Sequence, residues 1–256
     1  GGGLLEGVPL DSLKSWADEN DIDQDGISGR IRWISTDEGK VPGRFGWKAD
    51  TQSLEAQTAD ASFHDMGLSN PLHSTQNCQP EQIACNEKPT GNDEDGFELN
   101  KSGLESIVFY LQGLAVPTRR SPMKFDVTEG KILFNEIKCQ TCHRPTAVTN
   151  HSKVASLSGQ KIYMYTDLLL HNMGSGLSDT REDSFVESSE WKTPPLWGLG
   201  LVPVVNGHTR YLHDGRARDL NEAILWHGGE AKASQKAYTQ LKQSERDAVI
   251  EFLESL

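Results

Sequence analysis

Apolar residues recur at helical spacing in four stretches of the chain, and strand-like alternation is scarce. Ile132, Leu133 and Ile137 form one stripe, with Thr128 placed to cap it. Ala248, Ile250, Phe252 and Leu253 form another near the C-terminus, where Ser244 and Asp247 stand at capping-box spacing. Ser102 to Val116 is a third apolar helix, and Leu13 to Ala17 a short fourth. The connecting stretches are long, polar and rich in Pro and Gly. The pattern predicts a mainly α chain with long irregular loops and little β.

One string between these helices carries specific chemistry: Cys139-Gln140-Thr141-Cys142-His143. Two cysteines three apart, followed at once by histidine, form the attachment signature of c-type haem. The cysteines reach the two vinyl groups of one porphyrin, and the histidine supplies the proximal nitrogen to iron. A redox dithiol or half of a zinc site are the competing readings. The first needs a βαβ setting and the second another ligand pair, and neither is visible. Gly130 and Phe134 precede the string on the stripe helix. A Gly, an aromatic four later and then the haem string resemble the first helix of small cytochromes c. The C-terminal stripe resembles the terminal helix that crosses it. Residues 117–256 therefore read as one cytochrome c-like domain with a long insertion after the string.

Composition narrows the partners. The 256 residues carry a net charge of −12, which leaves no cationic excess for phosphate neutralisation and argues against nucleic acid. No apolar run approaches the roughly 20 residues of a membrane span. The expected partner is an electron-donor or electron-acceptor protein.

The distal side of the iron has seven candidate ligands by residue type: His171, Met173, His208, His213, His227, Met164 and Met123. Order along the chain does not choose among them. A resemblance does. Trp191-Lys192-Thr193-Pro194-Pro195-Leu196, then Tyr211-Leu212-His213-Asp214-Gly215, then Asn221 to Ala231 resemble the C-terminal part of bacterial di-haem cytochrome c peroxidases. The resemblance is closer to a related group, di-haem oxidoreductases often labelled thiol oxidoreductases, in which Trp226-His227-Gly228-Gly229-Glu230 is characteristic. Gly43 to Ala49 extends the likeness over nearly the whole chain. In the peroxidases a Met on the short helix binds the second haem, and that position falls on His227 here. The resemblance thus implies a haem held by Cys139 and Cys142, with His143 proximal and His227 distal. Met173 is the runner-up. Glu222 and Glu230 flank His227 and are candidates for tuning it or moving protons. Trp47, Trp197 and Trp226 are candidates for lining haems, with core packing as the plainer role.

The first hundred residues echo the last sixty. Arg44-Phe45-Gly46-Trp47 before Leu54 matches Arg210-Tyr211-Leu212-His213 before Leu220. Phe63-His64-Asp65-Met66-Gly67 echoes Leu170-His171-Asn172-Met173-Gly174. Residues 1–116 are expected to be the latter part of a first cytochrome c-like module without its own haem string. The resembled family carries that string upstream of this point. One haem c is therefore expected in this chain, and a second upstream of it. The implied function is electron transfer within a di-haem oxidoreductase of peroxidase type. Peroxidase-like chemistry would belong to the full-length protein and the relay to this part. The alternative is a non-catalytic electron carrier or a calcium-stabilised binding module.

Two further features bear on setting. Cys78 and Cys85 lie in a polar loop and read as a disulfide, worth roughly 2.5 kcal/mol through loop entropy; two unpaired thiols are the alternative. Haem attachment and a disulfide both imply an oxidising, extracytoplasmic compartment, the periplasm in a bacterium. Asp21, Asp23 and Asp25, followed by Gly26, open like a calcium loop. The EF-hand pattern then requires Glu at its twelfth position, where Arg32 stands. The loop reads either as a partial calcium site or as an acidic turn.

Overall fold

The computed structural model describes residues 1–181 and 184–256. Helix makes up 39% of the structure and strand 10%, so the chain is mainly α. In chain order the elements are α1 (Gly2–Glu6), α2 (Leu10–Trp16), β1 (Trp33–Thr36), β2 (Gly39–Pro42), α3 (Leu54–His64), α4 (Ile83–Asn86) and α5 (Lys101–Gly113). There follow α6 (Phe125–Glu136), β3 (Ala147–Val148), β4 (Lys161–Ile162), β5 (Leu170–Asn172) and β6 (Glu190–Lys192). The chain ends with α7 (Val202–Asn206), α8 (Leu220–Leu225), α9 (Lys232–Gln240) and α10 (Gln243–Ser255). The strands pair only as antiparallel twos: β1 with β2, β3 with β4, β5 with β6.

The dominant packing is α6 across α10. Val127, Leu133, Phe134 and Ile137 meet Ala248, Val249, Phe252 and Leu253 in one buried core, which Tyr165, Leu196, Leu220 and Tyr238 complete. Gly130 sits at the crossing, where a Cβ would strike the Ala248 carbonyl. Of the expected stripe, Leu133 and Ile137 are buried, whereas Ile132 points to solvent and Phe134 lies inside. Both predicted caps also move. Lys124 holds the extended N-cap position of α6, and Thr128 lies within the helix. Lys242 is extended before α10, and Glu245 accepts its N–H at 2.7 Å, so Ser244 and Asp247 fall inside the helix.

A second core joins Leu5, Val8, Leu13 and Ile31 to Ala147, Ile162, Met164, Leu168 and Leu169. It draws on both sides of residue 116. An Arg30–Leu170 bridge and an ion pair from Arg30 to Glu190 at 2.6 Å reinforce the join.

The internal echo has a structural counterpart. Phe45 bridges Thr51, and Tyr211 bridges Ala217. Within the first turn Gly46 and Ala49 are left-handed, as are Leu212 and Gly215 at the matching places in the second. Each turn then feeds a helix through a side-chain cap. Ser53 accepts the Ala56 N–H ahead of α3, and Asp219 accepts the Glu222 N–H ahead of α8. Trp47 and His213, which occupy equivalent places in the two turns, touch edge-on with ring centroids 6.4 Å apart.

Candidate functional site

The Cys139–His143 string follows α6 directly. Lys138 is left-handed, which ends the helix and starts the single 3₁₀ turn Cys139–Thr141. Both cysteines are free and mostly enclosed. Burial pushes the Cys139 thiol up to about 12 and raises that of Cys142 as well. Such thiols stay protonated at neutral pH, the opposite of an activated thiolate nucleophile.

His143 is oriented from behind. Its Nδ1 donates to the Tyr165 carbonyl at 3.0 Å, because a carbonyl can only accept. Burial, and then the neighbouring His227, lower its pKa to about 4. The ring is therefore neutral, and its lone pair sits on Nε2. His227 follows α8 and is fixed in the same way, with Nδ1 donating to the Ala223 carbonyl at 2.8 Å. Burial lowers its pKa too. The Gly228–Gly229 pair after His227 lets the backbone lie against β5. A Cβ on Gly228 would press on the Met173 carbonyl, and one on Gly229 would strike the Asn172 carbonyl, so this backbone lies directly on the end of β5.

The remaining candidate ligands are disposed of differently. Met123 is 89% exposed, and His208 is also at the surface. Met164 is wholly buried in the second core. His213 stacks flat on Trp191, with centroids 3.6 Å apart. Met173 is half-buried beyond β5, its N–H donating to the Ser189 carbonyl at 2.8 Å. His171 has both nitrogens engaged: Nε2 to Asp167 at 2.9 Å and Nδ1 to Glu230 at 2.7 Å. Burial works against its charge, but Asp167 and Glu230 outweigh that and raise its pKa well above the ordinary value. It is an imidazolium with no free lone pair.

The triad Asp167–His171–Glu230 gave no local signal in the sequence beyond the two residues already marked, His171 and Glu230. Glu230 also accepts the N–H groups of Asn172 and Ser28, at 2.8 and 2.9 Å. It thereby ties the acidic-loop segment to β5. A Cβ on Gly29 would strike the His171 ring, so that segment lies flat against it. Cys142 Sγ stands 3.7 Å from His171 Nδ1, which puts the triad beside the haem string. Glu222, the other flanking carboxylate, pairs instead with Arg218 at the surface, at 2.7 Å. Trp197 packs on the second core, whereas Trp226 lies half-exposed under the Arg216 guanidinium.

In the acidic loop the carboxylates of Asp18, Asp21 and Asp23 come within 4.8 Å of one another. Asp25 does not join them; its Oδ1 accepts the Ile27 N–H at 2.9 Å. Asp18 takes the third place, with one oxygen buried and unpartnered. Cys78 and Cys85 are joined as a disulfide, Cα atoms 6.0 Å apart.

The donor set fits a covalently attached haem. Two enclosed, protonated thiols stand at vinyl-bridging spacing, and two neutral imidazoles are each anchored through Nδ1 with Nε2 left over. No curated protein matches the chain. Residues 1–256 match the family described as "Di-haem oxidoreductase, putative peroxidase".

Proposed function

Because the chain belongs to the di-haem oxidoreductase family, and its work is accordingly haem-based oxidation–reduction, we propose that it carries one haem c and relays electrons through it. Cys139 and Cys142 would tether the haem, and His143 and His227 are the residues that would hold its iron. The observation that carries this reading is the matched anchoring of the two imidazoles by the Tyr165 and Ala223 carbonyls. A haem c supplies a one-electron carrier. The protein's part is to keep both imidazoles neutral by burial and to fix their tautomers. If both imidazoles serve the iron, substrate chemistry falls to another haem of the di-haem protein, and residues 1–116 and 117–256 act as two cytochrome c-like modules. The repeated turn at Phe45 and Tyr211 supports that division. An electron-donor or electron-acceptor protein is the partner.

Thioether attachment and the Cys78–Cys85 disulfide favour an oxidising compartment, the periplasm in a bacterium. No helix among the described residues is long and apolar enough to cross a membrane. The raised thiol pKa values argue against a dithiol reaction at Cys139 and Cys142.

The test is a pyridine haemochrome and a visible spectrum of protein matured with haem. One haem c per chain is expected, low-spin when oxidised and when reduced, with no change on adding cyanide. A high-spin spectrum would overturn the His143/His227 pair.

A calcium ion held by Asp18, Asp21 and Asp23 is a second, structural element of this reading, favoured by the unpartnered Asp18 oxygen. Calorimetric titration should then show one Ca²⁺ bound, lost in Asp18→Asn. Equal binding by that variant, or none by the wild type, would remove the site.

A further inference from the structure

Cys142, Asp167 and His171 each bring one ligand atom to a single spot, all within 4.8 Å of one another, and the last two are buried. A fourth side chain reaches the same imidazole, since Glu230 Oε2 lies 2.7 Å from Nδ1. The two ring nitrogens face different partners. Nε2 is 2.9 Å from Asp167, whereas Nδ1 faces both Glu230 and the Cys142 sulfur, the latter at 3.7 Å. Backbone groups hold the carboxylates in place. Glu230 Oε1 accepts the Asn172 N–H at 2.8 Å, and Asp167 Oδ1 accepts the Leu169 N–H at 3.0 Å.

Thiolate sulfur, imidazole nitrogen and carboxylate oxygen together make a donor set for zinc. Tetrahedral bonds of about 2.3 Å to sulfur and 2.0–2.1 Å to nitrogen hold those two atoms roughly 3.6 Å apart. Cys142 Sγ and His171 Nδ1 already stand at 3.7 Å. The same geometry asks for about 3.4 Å between nitrogen and oxygen, so the Glu230 carboxylate would draw back from the ring by about 0.7 Å. Asp167 stays where it is. A carboxylate that accepts from one ring nitrogen while the other binds metal is the usual outer-shell support of a ligating histidine. Charge balances as well. A Zn²⁺ entering between Nδ1, Sγ and Oε2 displaces one proton from the imidazolium and one from the thiol, so the net charge of the cluster is unchanged.

We propose that Cys142, His171 and Glu230 form a zinc site, oriented by Asp167, in the chain before haem is attached. A water takes the fourth position. The site needs only these four side chains, with or without haem chemistry at the same string. Zinc and haem are alternative occupants of Cys142, because attachment turns the thiolate into a thioether. While zinc is bound, Cys142 is withheld from pairing with Cys139 as a disulfide. The test titrates the reduced, haem-free full chain with Zn²⁺ against a chromogenic chelator, with Ca²⁺ in excess to occupy the oxygen-only Asp18–Asp23 loop. One Zn²⁺ per chain is expected. Co²⁺ in its place should give tetrahedral visible bands and a thiolate-to-metal charge-transfer band. Cys142→Ser should lose that band and bind Zn²⁺ more than about a hundredfold more weakly, beyond the 10- to 100-fold typical of a lost outer-shell partner. Glu230→Gln leaves a neutral oxygen and should weaken binding by about tenfold. No Zn²⁺ on the wild type, a cobalt complex without the thiolate band, or wild-type affinity in Cys142→Ser would overturn the site. Wild-type affinity in Glu230→Gln would overturn it too, by placing the metal on the Cys139–Cys142 pair alone. Should Glu230→Gln not accumulate as folded protein, zinc-edge X-ray absorption of the wild type decides. One sulfur neighbour among nitrogen and oxygen is expected, and two sulfurs overturn the proposal.

Discussion

Replacing His227 with Gly is expected to convert the oxidised protein from low-spin to high-spin nearly completely, and to let cyanide bind where the wild type does not. The argument is one of supply. His227 reaches the site because α8 is capped by Asp219, buried through Leu220 and Ala223, and followed by two glycines that rest on the end of β5. The other candidate ligands weighed for this place are engaged or remote among the described residues. Both nitrogens of His171 are bound by carboxylates, and His213 is stacked on Trp191. Met164 is locked in the second core, and Met123 is out in solvent. Visible spectroscopy with cyanide titration checks the result. An unchanged low-spin spectrum in His227→Gly would take His227 out of the coordination sphere and move the role to Met173. His227→Met should remain low-spin with a raised potential, since thioether ligation favours the reduced iron.

The parts of this site that are contiguous in the chain were legible in the sequence. The Cys139–His143 string, the crossing of α6 with α10 and the paired turns at Phe45 and Tyr211 all have local patterns, fixed by spacing and by backbone conformation. The details that failed were local preferences overridden by packing. Thr128 and Ser244 are good caps, but the extended residues Lys124 and Lys242 start the helices earlier. Ile132 is a good core residue, but Gly130 brings α10 so near that the buried face turns towards Phe134. Asp18, which lies outside the Asp21–Asp25 string, takes the third place in the acidic cluster instead of Asp25. What had no local signature was the charge network. Asp167 and His171 share one segment and Glu230 comes from another, and only the close approach of β5 and the Gly228–Gly229 backbone brings them together. A sequence pattern marks residues as candidates; partner atoms decide that both ring nitrogens of His171 face carboxylates.

That network carries the largest effect expected on stability. His171→Leu should destabilise the fold by about 3 to 5 kcal/mol at neutral pH, the scale seen when one partner of a buried ion pair is removed. Asp167 is 1% exposed, and Glu230 is enclosed by Ser28, Asn172 and the imidazole itself. Leucine fills the space but leaves both carboxylates without their shared cation. The pH dependence has a definite sign. His171 has its pKa raised in the folded state, so its stabilising contribution is complete below the unfolded value of 6.5 and is lost as pH rises through the folded value. Glu230 behaves oppositely. Burial works to raise its pKa, the bond to His171 outweighs that, and the net lowering gives stability that is present above 4.5 and lost as pH falls through the folded value. Between the two the triad contributes fully. Denaturant unfolding at stepped pH should therefore show a wild-type decline on the alkaline side that is absent from His171→Leu. The gap between the two proteins should narrow towards acid, where a carboxyl takes up a proton and the unpaired charge disappears. A loss below about 1 kcal/mol, or parallel pH profiles, would mean that the triad is not the charged clamp its distances describe.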